Sequence, residues 1–204
     1  MEDKNSILGV LLAGGLSRRF GGDDKFLREI GGETLLQRVA ARAAPQVGEL
    51  ILNAGGDAER FGDLGLPVVP DVVEGALGPL AGVLTGMAWA REHRPETQWI
   101  ATFATDAPFL PEDLVIRLHA AAHEQGASIA LASSDGRAHP VFGLWSVDLY
   151  DNLHAAVVDE GLRKVMAWCE RHPLVQVDFT TDPYDPFFNI NCEDDLAAAA
   201  ALLP

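Results

Sequence analysis

Positive charge, lysine, cysteine and long apolar runs are all scarce in this chain. Its 15 Lys and Arg residues face 30 Asp and Glu, a formal charge of −15. Duplex nucleic acid is excluded as a natural partner, because neutralising phosphates requires the opposite sign. An anionic membrane surface is excluded on the same ground. A small anionic ligand is still compatible, held by a local cationic cluster, backbone amides or a bound metal ion. The two cysteines, Cys169 and Cys192, lack Cys-x-x-Cys spacing and read as reduced thiols. No apolar stretch approaches the roughly 20 residues that span a bilayer. The start, Met1-Glu2-Asp3-Lys4-Asn5-Ser6, lacks the basic flank and apolar run of a secretory signal, so the cytoplasm is the expected location.

What is present is apolar residues, 48% of a 204-residue chain. That content excludes disorder, and the length suits a single domain over 1–204 that buries roughly 70% of its unfolded surface.

Short apolar runs alternate with helical periodicity. Ile7 to Leu12, Leu50 to Leu52, Pro67 to Val69 and Trp99 to Ala104 read as buried strands. Ser128 to Ala132, Val141 to Trp145 and Leu174 to Phe179 read as further strands. Leu35, Leu36, Val39, Ala40 and Ala43 lie at helical spacing behind a candidate cap, Thr34. Leu80, Val83, Leu84, Met87 and Ala88 form a second helix with Pro79 in its first turn. Leu114, Leu118, Ala121 and Ala122 form a third, with Pro111 near its start. Val147 to about Glu170 reads as one long helical stretch, and Glu193 to Leu203 as a terminal helix. Repeated strand–helix–strand units predict an α/β fold, a three-layer α/β/α sandwich on a mostly parallel central sheet. Ligands of such sheets sit outside the carboxyl ends of the strands, which nominates the loops after Leu12, after Asn53, around Asp71 and around Asp106.

The first of these loops carries the strongest signal: Leu12-Ala13-Gly14-Gly15-Leu16-Ser17-Arg18-Arg19-Phe20-Gly21-Gly22-Asp23-Asp24-Lys25. Its four glycines allow close backbone approach to a phosphate, and Arg18, Arg19 and Lys25 add cationic donors to an acidic protein. A triphosphate is the natural ligand. The run contains neither G-x-G-x-x-G nor G-x-x-x-x-G-K-[ST], so it is neither a dinucleotide fingerprint nor a Walker loop. Lys25 is one of only three lysines beside twelve arginines, which suggests a need for a compact point charge in this loop.

Asp106 follows the run Trp99 to Ala104 directly and is placed to hold Mg²⁺ against phosphate oxygens; a plain loop carboxylate or helix cap is the alternative. Asn53 and Asp71 are candidates for contact with a base or ribose, or are simple turn residues. Gly78 to Gly82 open a helix whose first amides are free, either for a base or for close packing on the sheet. His139-Pro140 precedes the Val141 strand, with Arg137 nearby. Arg163 and Lys164 form a basic pair on the long helix, either for a substrate or as a solvated face. Asn189 and Asn191 flank Ile190, so they share a side in an extended segment, or Asn191 caps the terminal helix.

The run Leu-Ala-Gly-Gly-x-Ser-x-Arg-x-Gly-x-x-x-Lys resembles the signature of the molybdenum cofactor guanylyltransferases, within the glycosyltransferase-A-like, Rossmann-like nucleotidyltransferases. Gly78-Pro79-Leu80-Ala81-Gly82, Asp106-x-Pro-x-x-Pro111, His139-Pro140 and Asn189-Ile190-Asn191 follow in the family's order, so the resemblance covers nearly the whole chain. Phe20 stands where methionine is commoner, and Cys192 where threonine is frequent. Asp24 before Lys25 favours this family over cytidylyltransferase relatives, which more often have proline there.

The resemblance implies transfer of GMP from GTP to the phosphate of molybdenum-bound molybdopterin, with pyrophosphate released and Mg²⁺ as cofactor. It implies Leu12, Ala13, Gly14, Gly15, Lys25, Asn53, Asp71 and Asp106 as GTP-binding residues. Lys25, Arg19 and Asp106 would stabilise the reacting phosphates, and Asp106 would hold the metal, joined by Asn189 or Asn191. His139, Arg163, Asn189 and Asn191 would bind the molybdopterin acceptor. A molybdoenzyme or its chaperone is a possible docking partner. Alternatives that keep the fold are a CTP-dependent molybdopterin cytidylyltransferase and a sugar-phosphate nucleotidyltransferase. A non-enzymatic alternative is a nucleotide-binding cofactor-delivery protein.

Overall fold

The computed structural model describes residues 4–14, 25–56, 58–62, 64–75 and 78–203. Among them the chain runs β1 (Ile7–Leu12), a small hairpin of β2 (Glu29–Ile30) and β3 (Glu33–Thr34), α1 (Leu35–Ala43), β4 (Glu49–Asn53) and β5 (Val68–Val69). It continues through α2 (Pro79–His93), β6 (Trp99–Ala104), α3 (Leu114–Gln125), β7 (Ile129–Ser134) and β8 (Arg137–Ser146). It closes with α4 (Tyr150–Val158), α5 (Val165–Cys169), β9 (Leu174–Asp178) and α6 (Glu193–Ala201).

Seven strands form one sheet in the order β5-β4-β1-β6-β8-β7-β9. β8 alone runs against its neighbours β6 and β7; the others are parallel, as the periodicity predicts. Side chains of α1 and α3 (Leu36, Val39, Leu114, Leu118) fill one face of the sheet. Those of α2, α4 and α5 (Leu84, Met87, Leu153, Trp168) fill the other. Three layers result, because strands buried on both faces need helices on both faces. The β2–β3 hairpin, absent from the periodicity reading, joins α1 and α6 in a smaller apolar cluster around Ile30, Leu35 and Ile190.

Local chemistry explains several boundaries. Thr34 accepts a hydrogen bond from the Gln37 amide at 3.1 Å, and the Gln37 side chain accepts from the Thr34 amide at 2.9 Å; this reciprocal cap starts α1. Gly78, with φ +77°, turns the chain into α2, and Pro79 occupies the first helical position, where no amide is needed.

Two expectations are corrected. The stretch from Val147 to Glu170 is not one helix. A short 3-10 turn at Val147–Leu149 leads into α4, which ends at Val158; Gly161 adopts φ +67°, and α5 starts only at Val165. Arg163 therefore lies in the break between helices, where its guanidinium donates to the Val157 and Leu162 carbonyls at 3.0 and 2.9 Å. Lys164 sits immediately before α5. The second correction concerns β8, which begins at Arg137 and so contains His139-Pro140 instead of following it. Pro140 is tolerated because the pairing of β7 with β8 shifts register there: Ala132 faces His139, whereas Leu131 faces Gly143. The β6 pairing begins only at Gly143, so no ladder bond is asked of the missing proline amide on that side.

The first crossover carries the chain from β1 outward to β4 and β5; the second returns it to β6 on the opposite side of β1. The crevice of the fold opens at this reversal of direction. Across it, Val69, Asn53, Leu12 and Ala104 stand in one row, paired Asn53 with Val69 and Leu12 with both Asn53 and Ala104.

Candidate active site

The loops leaving that row carry Gly14, Asp71 and Asp106, with Asn53 ending β4. Asp106 follows Ala104 by two residues, and the Thr105 hydroxyl ties the turn to β1 by donating to the Leu12 carbonyl at 3.1 Å. Lys25 opens a short 3-10 turn, Lys25–Leu27, whose Phe26 is buried against Phe61 at 5.5 Å between ring centroids. Its ammonium donates to Asp106 Oδ2 at 2.6 Å and to Asn191 Oδ1 at 2.7 Å. Both members of the ion pair are partly shielded, at 19% and 26% side-chain exposure.

Asn191 comes from the segment before α6. The Ile190 amide donates to the Asp106 carbonyl at 2.9 Å, and the Asp195 carboxylate accepts from the Asn191 and Cys192 amides at 2.7 and 3.1 Å. These bonds, those from Asn191 foremost, and the nearby Lys25 charge hold the Asp195 carboxyl below its ordinary range. Asn191 is thus not the cap of α6; Cys192 occupies that position, and the Asn191 side chain points to Lys25. The Asn191 amide nitrogen donates to the Asn189 carbonyl at 3.3 Å, and Asn189 Oδ1 is buried with no hydrogen-bond partner among the described residues.

On the other side of β1, Asn53 is buried at 4% exposure. Its Nδ2 donates to the Val69 carbonyl at 3.2 Å and to Asp71 Oδ1 at 2.9 Å. The side chain nestles against Gly82, where any Cβ would stand 2.6 Å from Asn53 Oδ1 and 2.5 Å from Leu12 Cδ2. Thr85, fully buried one turn further along α2, accepts from the Val72 amide at 3.1 Å and donates to the Ala81 carbonyl at 2.8 Å. Asp71 is therefore set from both sides, by Asn53 on its carboxylate and by Thr85 on the next residue.

Sequence reasoning passed over Thr85, Thr105 and Asp195. Thr85 sits at a helical core position and carries no motif, and the partners of Thr105 and Asp195 lie in other elements or at a cap. Of the expected residues, Lys25, Asp106 and Asn191 meet directly, as do Asn53 and Asp71. Leu12, Ala13 and Gly14 lie at the end of β1 beside them, with the Ala13 amide bonded to the Asn53 carbonyl at 3.0 Å. Gly15 and Arg19 lie outside the described residues. His139 is buried, with Nε2 2.7 Å from Ser134 Oγ and its ring 4.6 Å from that of Phe187. Arg163 closes the end of α4, as described above.

Among the described residues no group of three or more His, Cys, Asp or Glu side chains converges on a metal site. One carboxylate, Asp106, and one amide oxygen, on Asn191, already share a cation in the Lys25 ammonium. That donor set fits a hard divalent ion of the Mg²⁺ type, which takes one or two carboxylates and completes its shell with phosphate and water. No helix among the described residues is long and apolar enough to cross a membrane.

A mostly parallel sheet with Lys25 paired to Asp106 beyond the strand switch point is the arrangement of an α/β nucleotidyltransferase. The family model described as a MobA-like NTP transferase domain matches residues 9–175. A protein of Rhodopseudomonas palustris (strain BisB5) named molybdenum cofactor guanylyltransferase is 49% identical over 98% of this chain and 95% of its own length. The chain belongs to the molybdenum cofactor guanylyltransferase family. The fold is shared with the molybdopterin-guanine dinucleotide biosynthesis protein A of Archaeoglobus fulgidus, at 23% identity, TM-score 0.72 and coverage of 96% and 97% of the two chains. It is also shared with a Mycobacterium tuberculosis protein solved as a manganese complex, at 20% identity, TM-score 0.70 and coverage of 97% and 99%.

Proposed function

We propose that this protein transfers GMP from GTP to the phosphate of molybdenum-bound molybdopterin, forming the guanine dinucleotide cofactor and pyrophosphate. An oxygen of the acceptor phosphate attacks the α-phosphorus of GTP. A new P–O–P bridge forms, the bond from the α-phosphorus to the β-phosphate oxygen breaks, and pyrophosphate leaves with that electron pair. A phosphate monoester is largely ionised at neutral pH, so no strong general base is required.

The observation that carries this reading is the convergence of Lys25, Asp106 and Asn191 at the switch point, facing the end of β1. In the reaction Lys25 follows the phosphates as a point charge, and the glycine-rich run after Leu12 is assigned to the same phosphates from the sequence motif. Arg19 is assigned the same charge-stabilising role from the sequence motif. A divalent ion, Mg²⁺ by preference, supplies charge neutralisation on the α-phosphate when Asp106 holds it. Asp71, oriented by Asn53, is the acceptor for the guanine N–H donors or the ribose hydroxyls. Asn189, Asn191, His139 and Arg163 are assigned to the acceptor side.

The test is pyrophosphate release with GTP or CTP, with and without molybdopterin acceptor, on the wild type and Asp106→Ala. GTP-dependent release that falls at least about hundredfold in the variant is expected. A preference for CTP would move the protein to the cytidylyltransferases, and nucleotide binding without turnover would make it a delivery protein.

A further inference from the structure

The segment 179–192 brings Ile190 to Asp106 and Asn191 to Lys25, yet it contains neither helix nor strand. Its far end is held by Asp106 and Asp195, as described above. At Asp185 it is held by a polar chain in which Ser134 and Asp185 have no role in the transfer chemistry assigned above. Asp185 Oδ1 accepts from the Ser134 hydroxyl at 3.1 Å and from the Phe187 amide at 2.9 Å. Ser134 Oγ lies 2.7 Å from His139 Nε2.

The proton positions follow by elimination. An ionised carboxylate only accepts, so the single Ser134 proton goes to Asp185, and Ser134 Oγ must then accept from His139 Nε2–H. The chain is directional: His139 to Ser134 to Asp185, with the Phe187 amide closing on the same oxygen. Ser134 and His139 are buried at 2% and 8% exposure. Phe187 packs on His139, Phe142 and Phe179, with centroids 4.6, 4.9 and 5.4 Å away. An apolar cluster of this kind needs no buried polar chain for its cohesion, and such a chain is costly unless every member is satisfied. What directional bonds add is a fixed position.

We propose that Ser134 and Asp185 are positioning residues for phosphoryl transfer: from the end of β7 they fix the segment that delivers Asn191 to Lys25 and Ile190 to Asp106, and so set the geometry at the acceptor phosphate and not the affinity for nucleotide. This rests on the transfer reaction proposed above. The distance along the chain is short, five residues from Asp185 to Ile190, so slack at Asp185 reaches the site directly. His139 orients Ser134 and acts one step further back.

Two measurements on Ser134→Ala, Asp185→Ala and Asp185→Asn test this. The first is amide hydrogen exchange, which needs no substrate. Faster exchange at Ile190 and Asn191 in both alanine variants, with β1 and β6 unchanged, is expected; unchanged exchange at Ile190 and Asn191 overturns the proposal whatever the enzyme's activity. The second is a split between turnover and binding. In the alanine variants kcat should fall about ten- to hundredfold while the GTP dissociation constant stays within about twofold. Asp185→Asn, whose Oδ1 can accept from the same two donors, should recover most of the rate. Wild-type turnover in both alanine variants, parallel loss of GTP affinity and melting temperature, or equal damage in Asp185→Asn and Asp185→Ala would each overturn it. A wild type that binds GTP but never turns over refutes the reaction, and the exchange result then judges the anchor alone.

Discussion

Lys25 Nζ stands 2.6 Å from Asp106 Oδ2 and 2.7 Å from Asn191 Oδ1, so a side-chain cation already occupies the oxygens best suited to a metal ion. A divalent ion must compete with that ammonium until a polyphosphate offers the lysine another anion. Metal and nucleotide binding should therefore be coupled. In Lys25→Met, Mn²⁺ alone should bind about tenfold more tightly than to the wild type, while nucleotide affinity drops by a similar factor. Electron paramagnetic resonance of free Mn²⁺ reads the first quantity and calorimetry the second; equal Mn²⁺ affinity in the two proteins would refute the competition.

Gly82 makes room for Asn53 and Leu12. In Gly82→Ala the new methyl would sit 2.6 Å from Asn53 Oδ1, displacing the amide that orients Asp71. Stability should fall by about 1–3 kcal/mol, together with nucleotide affinity. Gly86→Ala is the matched control. Its methyl would press on Val10 Cγ2 at 2.6 Å, deep in the core and away from Asn53, so it should cost stability but leave nucleotide binding intact. Denaturant melts paired with nucleotide titration separate the two effects.

Burial lowers the pKa of His139, and Arg137 adds to this, while the Asp185 carboxylate opposes it. The folded state thus takes up the proton less readily than the unfolded chain, whose histidine titrates near 6.5. The contribution of His139 to stability is full above about pH 6.5 and declines as pH falls towards its lowered folded value. In His139→Gln, whose Nε2 can still donate to Ser134, melting temperature should depend less on pH between about 7 and 5. An unchanged profile would mean that other groups, His172 among them, carry the dependence.

Cys169 is fully buried and its thiol is pushed up to about 12 by burial, whereas Cys192 is exposed at the start of α6. A thiol reagent at neutral pH should modify one cysteine in the folded protein and two in denaturant, with Cys192→Ser removing the fast reaction. Two equally fast thiols would contradict the placement of α5.

Much of the frame was legible because its determinants are local. The apolar runs of β1 and β6 end where the strands end, Thr34 and Pro79 mark the starts of α1 and α2, and the rule for parallel sheets put Asn53, Asp71 and Asp106 at one edge. Less local features were misread. Gly161 breaks what periodicity presents as a continuous helix, because a glycine signal must be weighed against apolar residues on both sides. His139-Pro140 falls inside β8 because a register shift spares proline a ladder bond, and a shift belongs to a pair of strands.

The sequence by itself determined the class of fold, the acidic surface, the edge of the sheet where the site lies, and the nucleotidyltransferase signature. These depend on composition, on periods of two and 3.6 residues, and on short motifs. Only the tertiary structure decided which side chains meet. Lys25 and Asn191 are 166 positions apart, and Ser134 and Asp185 are 51 apart. Contacts over such separations are fixed by strand order and by directional hydrogen bonds between elements, which no pattern within either segment encodes.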